Sequence, residues 1–226
     1  MSRSTTRIVL IFLGLTGSGK TYLAEQYLPT YPRPVLIIDV MDEWSEYGQS
    51  YRDVAAMYQD VAHYLATGEG PPGGIFVLKA DRTDKAQAAL EVADRERVPG
   101  TYVLDELHRH APKNQDSPLL EMVRTGRHKN QSVVGITQRP QSVHTHAVEE
   151  GAVVCFRLSG RAADHAARYL GNGLDAEALQ RLEKREYVLG GRAEGLPERV
   201  DLGDPDGSVW TYDPTTSEIV QRRETP

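Results

Sequence analysis

Eight residues, Gly14-Leu15-Thr16-Gly17-Ser18-Gly19-Lys20-Thr21, restrict the folds open to this chain more than any other stretch. They separate two segments of different pattern. Ile8-Val9-Leu10-Ile11-Phe12-Leu13 is apolar without interruption, as a strand buried on both faces should be. Tyr22-Leu23-Ala24-Glu25-Gln26-Tyr27 reads as a helix. A glycine-rich turn between strand and helix can fold its N–H groups inward around phosphates, and the helix N-terminus adds its positive end. At this spacing Lys20 reaches β- and γ-phosphates and the Thr21 hydroxyl coordinates Mg2+. An incidental glycine-rich turn is the alternative, and the flanking strand and helix weigh against it. The loop therefore predicts a nucleoside triphosphate site built from Gly14, Thr16, Gly17, Ser18, Gly19, Lys20, Thr21 and Tyr22.

With 226 residues, the chain fits one α/β domain with a proper core, spanning 1–226. Its polar ends, Met1–Thr5 and Thr215–Pro226, are expected to be flexible. A net charge of −6 supplies no bulk positive field for nucleic acid. Any polyanion contact must be local, or built by several subunits that place basic loops around a common axis. Cys155 is the single cysteine, so no intrachain disulfide is possible, in keeping with a reducing cytosol. Its place in Val153-Val154-Cys155-Phe156-Arg157 reads as a buried strand. The first apolar run is too short to span a membrane and lacks a signal-peptide cleavage pattern.

Taken in order, Tyr31-Pro32-Arg33-Pro34 breaks the chain before a second buried strand, Val35-Leu36-Ile37-Ile38-Asp39. A polar, aromatic-rich loop, Val40–Gln49, follows. Ser50 is then expected to cap a helix over Tyr51–Ala66, where Val54, Met57, Val61 and Leu65 recur at helical spacing. Ile75–Leu78 reads as a strand, and Thr83 as the cap of an Ala-rich helix ending near Arg95. Ser117-Pro118 opens another helix. Val153–Leu158 reads as a strand, followed by helices Arg161–Leu170 and Asp175–Lys184. Glu186–Leu189, Glu198–Leu202 and Ser208–Tyr212 read as short strands, with Gly203–Gly207 as a hairpin loop.

Thr101-Tyr102-Val103-Leu104-Asp105-Glu106 is a hydrophobic strand ending in two carboxylates. Downstream of a phosphate loop, such an end places a magnesium ligand, Asp105, beside a base, Glu106, that orients and polarises water. Arg124-Thr125-Gly126-Arg127-His128-Lys129 is the most basic stretch. It is either a solvated helix end whose cations complement the helix dipole, or a source of arginine for a neighbouring subunit's γ-phosphate or for DNA phosphates. The strand Ser132–Thr137 delivers Gln138-Arg139-Pro140; its amide either reads the γ-phosphate or caps the next turn. His108/His110 and His144/His146 form two His-x-His pairs without a cysteine. They read as surface or phosphate-facing histidines rather than as a metal centre.

These segments together resemble the HerA/FtsK superfamily of ring-forming, DNA-pumping ATPases. Four match in order: Gly14–Thr21; Ile37-Ile38-Asp39 followed by Asp42-Glu43 and Tyr47; Val103–Glu106; and Arg124–Lys129 leading to Thr137-Gln138-Arg139-Pro140. They span Arg7 to Leu202. Without an added barrel or membrane segments, the chain is most similar to the genome-packaging ATPases of tailless icosahedral viruses with an internal membrane. The resemblance implies an α/β, RecA-like (ASCE) P-loop NTPase fold, with a mainly parallel sheet sandwiched by helices and a short β extension at the C-terminus. It implies ATP and Mg2+ as cofactors, with Lys20, Thr21 and Asp105 holding phosphate and metal and Glu106 acting in hydrolysis. Gln138 would sense γ-phosphate, and Arg127, with Arg124 as the second candidate, would be the trans-acting finger. The implied partners are double-stranded DNA, further copies in a pentameric or hexameric ring, and a viral portal or capsid vertex protein, in the host cytoplasm. Phage export or assembly and conjugation are other uses of the same superfamily. A P-loop kinase and a nucleotide-gated scaffold are the remaining readings, the first lacking an arginine-rich lid and the second having no need of Glu106.

Overall fold

The uninterrupted apolar runs form the centre of one sheet, and their alternate residues enter two different cores. In Val9–Leu13, Leu10 and Phe12 join one core while Ile11 and Leu13 join the other; Val35–Asp39 divides its side chains in the same way. Burial on both faces explains why these strands carry no polar alternation. A computed structural model describes residues 7–170, 174–192, 196, 200–203, 208–213 and 218–223.

Among these residues ten strands pair in one sheet: β1 (Val9–Leu13), β2 (Val35–Asp39), β3 (Gln49–Tyr51), β4 (Ile75–Lys79), β5 (Gly100–Leu104), β6 (Gln131–Thr137), β7 (Ala152–Phe156), β8 (Glu186–Gly191), β9 (Val209–Asp213) and β10 (Glu218–Arg223). Their spatial order is β10-β9-β8-β7-β1-β6-β5-β2-β4-β3. The strands from β7 to β3 run parallel, and β8 to β10 extend the β7 edge antiparallel. The described helices are α1 (Lys20–Gln26), α2 (Val54–Thr67), α3 (Thr83–Arg95), α4 (Pro118–Thr125), α5 (Thr145–Glu149), α6 (Gly160–Leu170) and α7 (Ala176–Arg181). This is the RecA-like, mainly parallel architecture with a C-terminal β extension.

The two layers on the sheet are unequal. Helices α2 to α7 place their buried faces in one core, through residues such as Met57, Leu90, Leu120, Val148, Ala166 and Leu179. The other core receives Leu23 and Ala24 of α1, and is completed by Leu28, Tyr31, Trp44 and Leu202 from turns and loops. Cys155 is fully buried in β7, where burial pushes its thiol well above the ordinary range.

Several local expectations change. Ser50 does not cap a helix: Gln49–Tyr51 pairs with β4, and Tyr51 stacks on Phe76. The cap is Asp53, whose carboxylate accepts from Ala56 N at 2.8 Å, because it stands immediately before Val54, the true start of the apolar period. Thr83 is the first helical residue rather than the cap; Arg82 precedes it and pairs with Asp84. Ser117 and Asp175 cap α4 and α7 as read, but α7 ends at Arg181. Val200–Leu202 lies outside the strands, whereas Glu198, Arg199 and residues 204–207 lie outside the described residues. Within the tail expected to be flexible, Glu218–Arg223 pairs with β9; Met1–Thr5 falls outside the described residues.

Candidate active site

The phosphate loop leaves the C-terminal end of β1 between β6 and β7. Gly14 N donates to Thr137 O at 3.2 Å and Leu15 N to Arg157 O at 3.0 Å, so both neighbouring strand ends hold its entry. Position 14 has no room for a side chain: a Cβ there would lie 2.6 Å from Ser18 Oγ and 2.8 Å from Phe156 Cβ. Lys20 opens α1 and is only 7% exposed, its ammonium donating to Leu15 O at 3.3 Å. Burial lowers its pKa, while Glu106, Asp105 and Glu43 act in the opposite direction. A buried cation aimed at the loop's own carbonyl, near three carboxylates, suits an incoming polyanion.

Across the sheet, β5 ends in Asp105 and Glu106. Asp105 is 5% exposed; its Oδ1 accepts from Glu106 N at 3.0 Å, and its Oδ2 is buried without a hydrogen-bond partner. Burial pushes its carboxyl up to about 6, and Glu106 and Glu43 add to that. Glu106 adopts a left-handed backbone (φ 52°, ψ 51°), which turns its side chain toward β6 rather than along the strand. One carboxylate oxygen accepts from Gln138 Nε2 at 3.2 Å, and the other lies 3.0 Å from His108 Nδ1. The hydrogen bond to His108 holds Glu106 below the usual carboxylate range, against its partial burial. Gln138 Oε1 in turn accepts from Thr16 Oγ1 at 2.7 Å. This chain of contacts exists because β6 lies between β1 and β5, so its terminal amide falls between phosphate loop and carboxylate.

Asp39 does different work from the acidic pair. It is buried at the end of β2, and its carboxylate accepts from the backbone N–H groups of Met41, Glu43 and Trp44 at 3.0–3.2 Å. It thereby shapes the loop that carries Met41 and Glu43 to the cavity. His108 Nδ1 also meets Thr137 Oγ1 at 3.2 Å. His110 is not a surface histidine: it is fully buried, its Nε2 is 3.0 Å from Asp105 O, and burial drives its pKa down to about 4. His144 and His146 stack on each other, with ring centroids 5.8 Å apart.

A cavity of about 480 Å3 opens between these parts. It brings together Thr16, Gly17, Gly19, Lys20, Thr21 and Tyr22 from the loop and α1 with Asp105, Glu106 and Gln138, while Gly14 and Ser18 lie buried in the loop beneath. Arg124 and Arg127 are not among its walls. Both are exposed at the end of α4 and in the turn after it, before β6 begins, where Arg124 lies 3.6 Å from Asp116. The length of β6, at about 3.3 Å per residue, separates that turn from Gln138 by roughly 20 Å. Neither arginine reaches the cavity of its own subunit. Met41, and Lys184 and Arg185 just before β8, line the cavity and were not singled out from the sequence; His108, noted there as half of a His-x-His pair, stands behind Glu106. A basic pair just before a strand was visible, but nothing in its spacing tied it to a loop so distant in the chain.

The donor set fits Mg2+. Among the described residues no group of three or more His, Cys, Asp or Glu could hold a metal by itself. Mg2+ commonly takes one or two protein ligands and completes its shell with water and substrate phosphates. The orphaned Asp105 Oδ2 and the Thr21 hydroxyl are suited to that share.

Comparison with known proteins assigns the family. The sequence profile of the ATPase family associated with various cellular activities (AAA) matches residues 10–154. The chain belongs to this family. The ATPase also shares its fold with the genome packaging NTPase B204 from Sulfolobus turreted icosahedral virus 2 in complex with AMPPCP. That match has 16% identity and a TM-score of 0.62, and covers 97% of this chain and 98% of the other. B204 from Sulfolobus Turreted Icosahedral Virus, a DNA-packaging ATPase, matches at 15% identity and a TM-score of 0.59 over 95% and 96% of the two chains. VirB4 of Thermoanaerobacter pseudethanolicus matches at 11% identity and a TM-score of 0.53 over 80% and 86%. No curated protein matches the chain in sequence. At these identities the neighbours show a shared fold, and no described helix is long and apolar enough to cross a membrane.

Proposed function

We propose that this ATPase couples ATP hydrolysis to translocation of double-stranded DNA, as a homo-oligomeric ring that packages a viral genome into a preformed capsid. The observation that carries the reading is the end-to-end likeness to a genome packaging NTPase, 97% of one chain against 98% of the other. That leaves no large insertion to supply a kinase's acceptor pocket. Each subunit is read as one domain spanning 1–226, and a portal or capsid vertex protein is the partner in the host cytoplasm.

Within a subunit, the loop N–H groups and Lys20 hold the β- and γ-phosphates of ATP. Thr21 and Asp105 would hold Mg2+, which when bound would supply neutralisation of the charge on the phosphates. Gln138, between Thr16 and Glu106, is placed to report the γ-phosphate to the carboxylate. Glu106 orients a water for attack on the γ-phosphorus and takes its proton as the bond to ADP breaks. Arg127 is read as serving the neighbouring subunit's site, since a cation so far from its own chain's cavity could meet a γ-phosphate only across an interface.

The test is ATPase rate with and without long duplex DNA over a salt series. Phosphate-dominated, sequence-independent contacts predict stimulation at low salt that fades steeply as salt rises. No stimulation at any salt, in a preparation shown to form rings with a portal protein present, would refute translocation while leaving the ATPase intact.

A further inference from the structure

Arg185 is pinned against the phosphate loop from outside it. Its backbone N–H donates to Ser18 O at 2.8 Å, and its carbonyl accepts from the Thr211 hydroxyl at 3.2 Å. It takes a left-handed backbone (φ 71°) without being glycine. A Cβ built on Gly19 would lie 3.3 Å from both Cα and Cγ of Arg185, so the start of β8 presses directly on the loop. The guanidinium carbon sits 5.5 Å from the centroid of the Tyr22 ring. Among the described residues Arg185 has no carboxylate partner in an ion pair, yet it lines the cavity.

The cavity has a direction. Glu106 and Gln138 mark the end where the γ-phosphate reacts, and Lys20 marks the middle. Tyr22 lies beyond Thr21 along α1, beside Arg185. A cation there, over an aromatic ring, faces what remains of the nucleotide: the α-phosphate and the nucleoside.

We propose that Arg185 is a nucleotide-binding residue acting in cis, its guanidinium engaging the α-phosphate side of ATP and ADP while the Tyr22 ring supports it. This rests on reading the cavity as the nucleotide site, and it assigns to the β extension a direct part in binding. Because the contact is made before and after hydrolysis, it strengthens both nucleotides alike.

Calorimetric titration of Mg2+-free and Mg2+-loaded protein with ADP and with a non-hydrolysable ATP analogue tests this. Arg185→Ala should weaken both by about tenfold or more, the scale of a hydrogen bond to a charged group, and the loss of turnover should appear in KM. Arg185→Gln, which keeps the aliphatic stem as far as Cδ but removes the guanidinium charge, should behave the same way and decides the matter if the alanine variant does not fold. Wild-type affinity for ADP in either folded variant would overturn the proposal. So would a loss confined to the ATP analogue, since that places the guanidinium at the γ end. Lys20→Ala run beside them separates the two levels. If wild type binds neither nucleotide, the site reading itself has failed; if Lys20→Ala weakens binding and Arg185→Ala does not, only the Arg185 assignment has.

Discussion

The side-chain amide of Gln138 donates to the carboxylate of Glu106 at 3.2 Å while accepting from Thr16 of the phosphate loop at 2.7 Å. Its two ends thus touch the loop that holds phosphate and the base that prepares water. Gln138→Ala cuts that link without touching Lys20 or Asp105. Turnover is expected to fall at least tenfold, the range of a lost positioning contact, with affinity for ADP kept. Equal losses in ADP affinity and turnover, by calorimetry and phosphate release, would show that Gln138 only supports the fold of the loop.

Two residues of the cavity should separate binding from chemistry. Lys20→Ala removes the cation but keeps the glycine cradle, so ATP affinity and turnover should both collapse. Glu106→Gln keeps size and the contact with Gln138 but removes the base. Its ATP binding should persist while hydrolysis drops by about two orders of magnitude or more. A Lys20→Ala variant with near-normal ATPase activity would remove the basis of the whole assignment.

Arg127 lies roughly 20 Å from the cavity of its own subunit, by the length of β6. If it completes a neighbour's site, Arg127→Ala subunits bind ATP but lose about 10³–10⁵ in rate. Mixing them with Glu106→Gln subunits should restore part of the activity, because some interfaces then join an intact Glu106 to an intact Arg127. A co-assembled mixture with no recovered activity would return attention to Arg124 and Arg139.

Asp105 and His110 pull stability in opposite directions as pH falls. His110 stays neutral in the fold down to about pH 4, whereas the unfolded chain takes its proton near 6.5, so acidification through that window costs up to about 3 kcal/mol. Asp105 takes its proton near 6 in the fold and near 3.8 when unfolded, so the same acidification returns a similar amount. Asp105→Asn removes the return and leaves the loss. Without Mg2+, its melting temperature between pH 7 and 5 should fall more steeply than that of wild type. The difference at pH 5 should be about 1 kcal/mol, or roughly 2–4 °C. Parallel melting curves would mean that Asp105 does not carry the shift described.

Residues whose role is local were legible in the sequence. The glycine loop, the strand ending in Asp105 and Glu106, and the strand delivering Gln138 all announce themselves, because apolar runs and strand-end polar groups are set within a few residues. The exposed α4 end carrying Arg124 and Arg127 was also legible as a basic stretch, though its distance from the cavity was not. Pairings across the chain were hidden. Arg185 reaches Ser18 only because β8 folds back on β7, and no spacing rule links residues so far apart. The failed cap at Ser50 has the same origin: pairing with β4 overrode a helical period that seemed to begin one turn early. His110 was misjudged because a histidine beside charged neighbours reads as exposed, whereas here it supports the backbone of Asp105 from within.

The crowding at Gly14 sets what sequences can occupy this scaffold. Even alanine there would drive a methyl group to 2.8 Å from Phe156 Cβ, an atom fixed in β7 that cannot swing aside. Gly17 has nothing within 4 Å and asks only for a left-handed backbone, φ 73°, which asparagine also tolerates. In a saturation library selected for folding alone, the first position should return glycine alone, and the second should admit asparagine at modest cost. The same amino acid, three residues apart, is thus fixed by volume in one place and by handedness in the other.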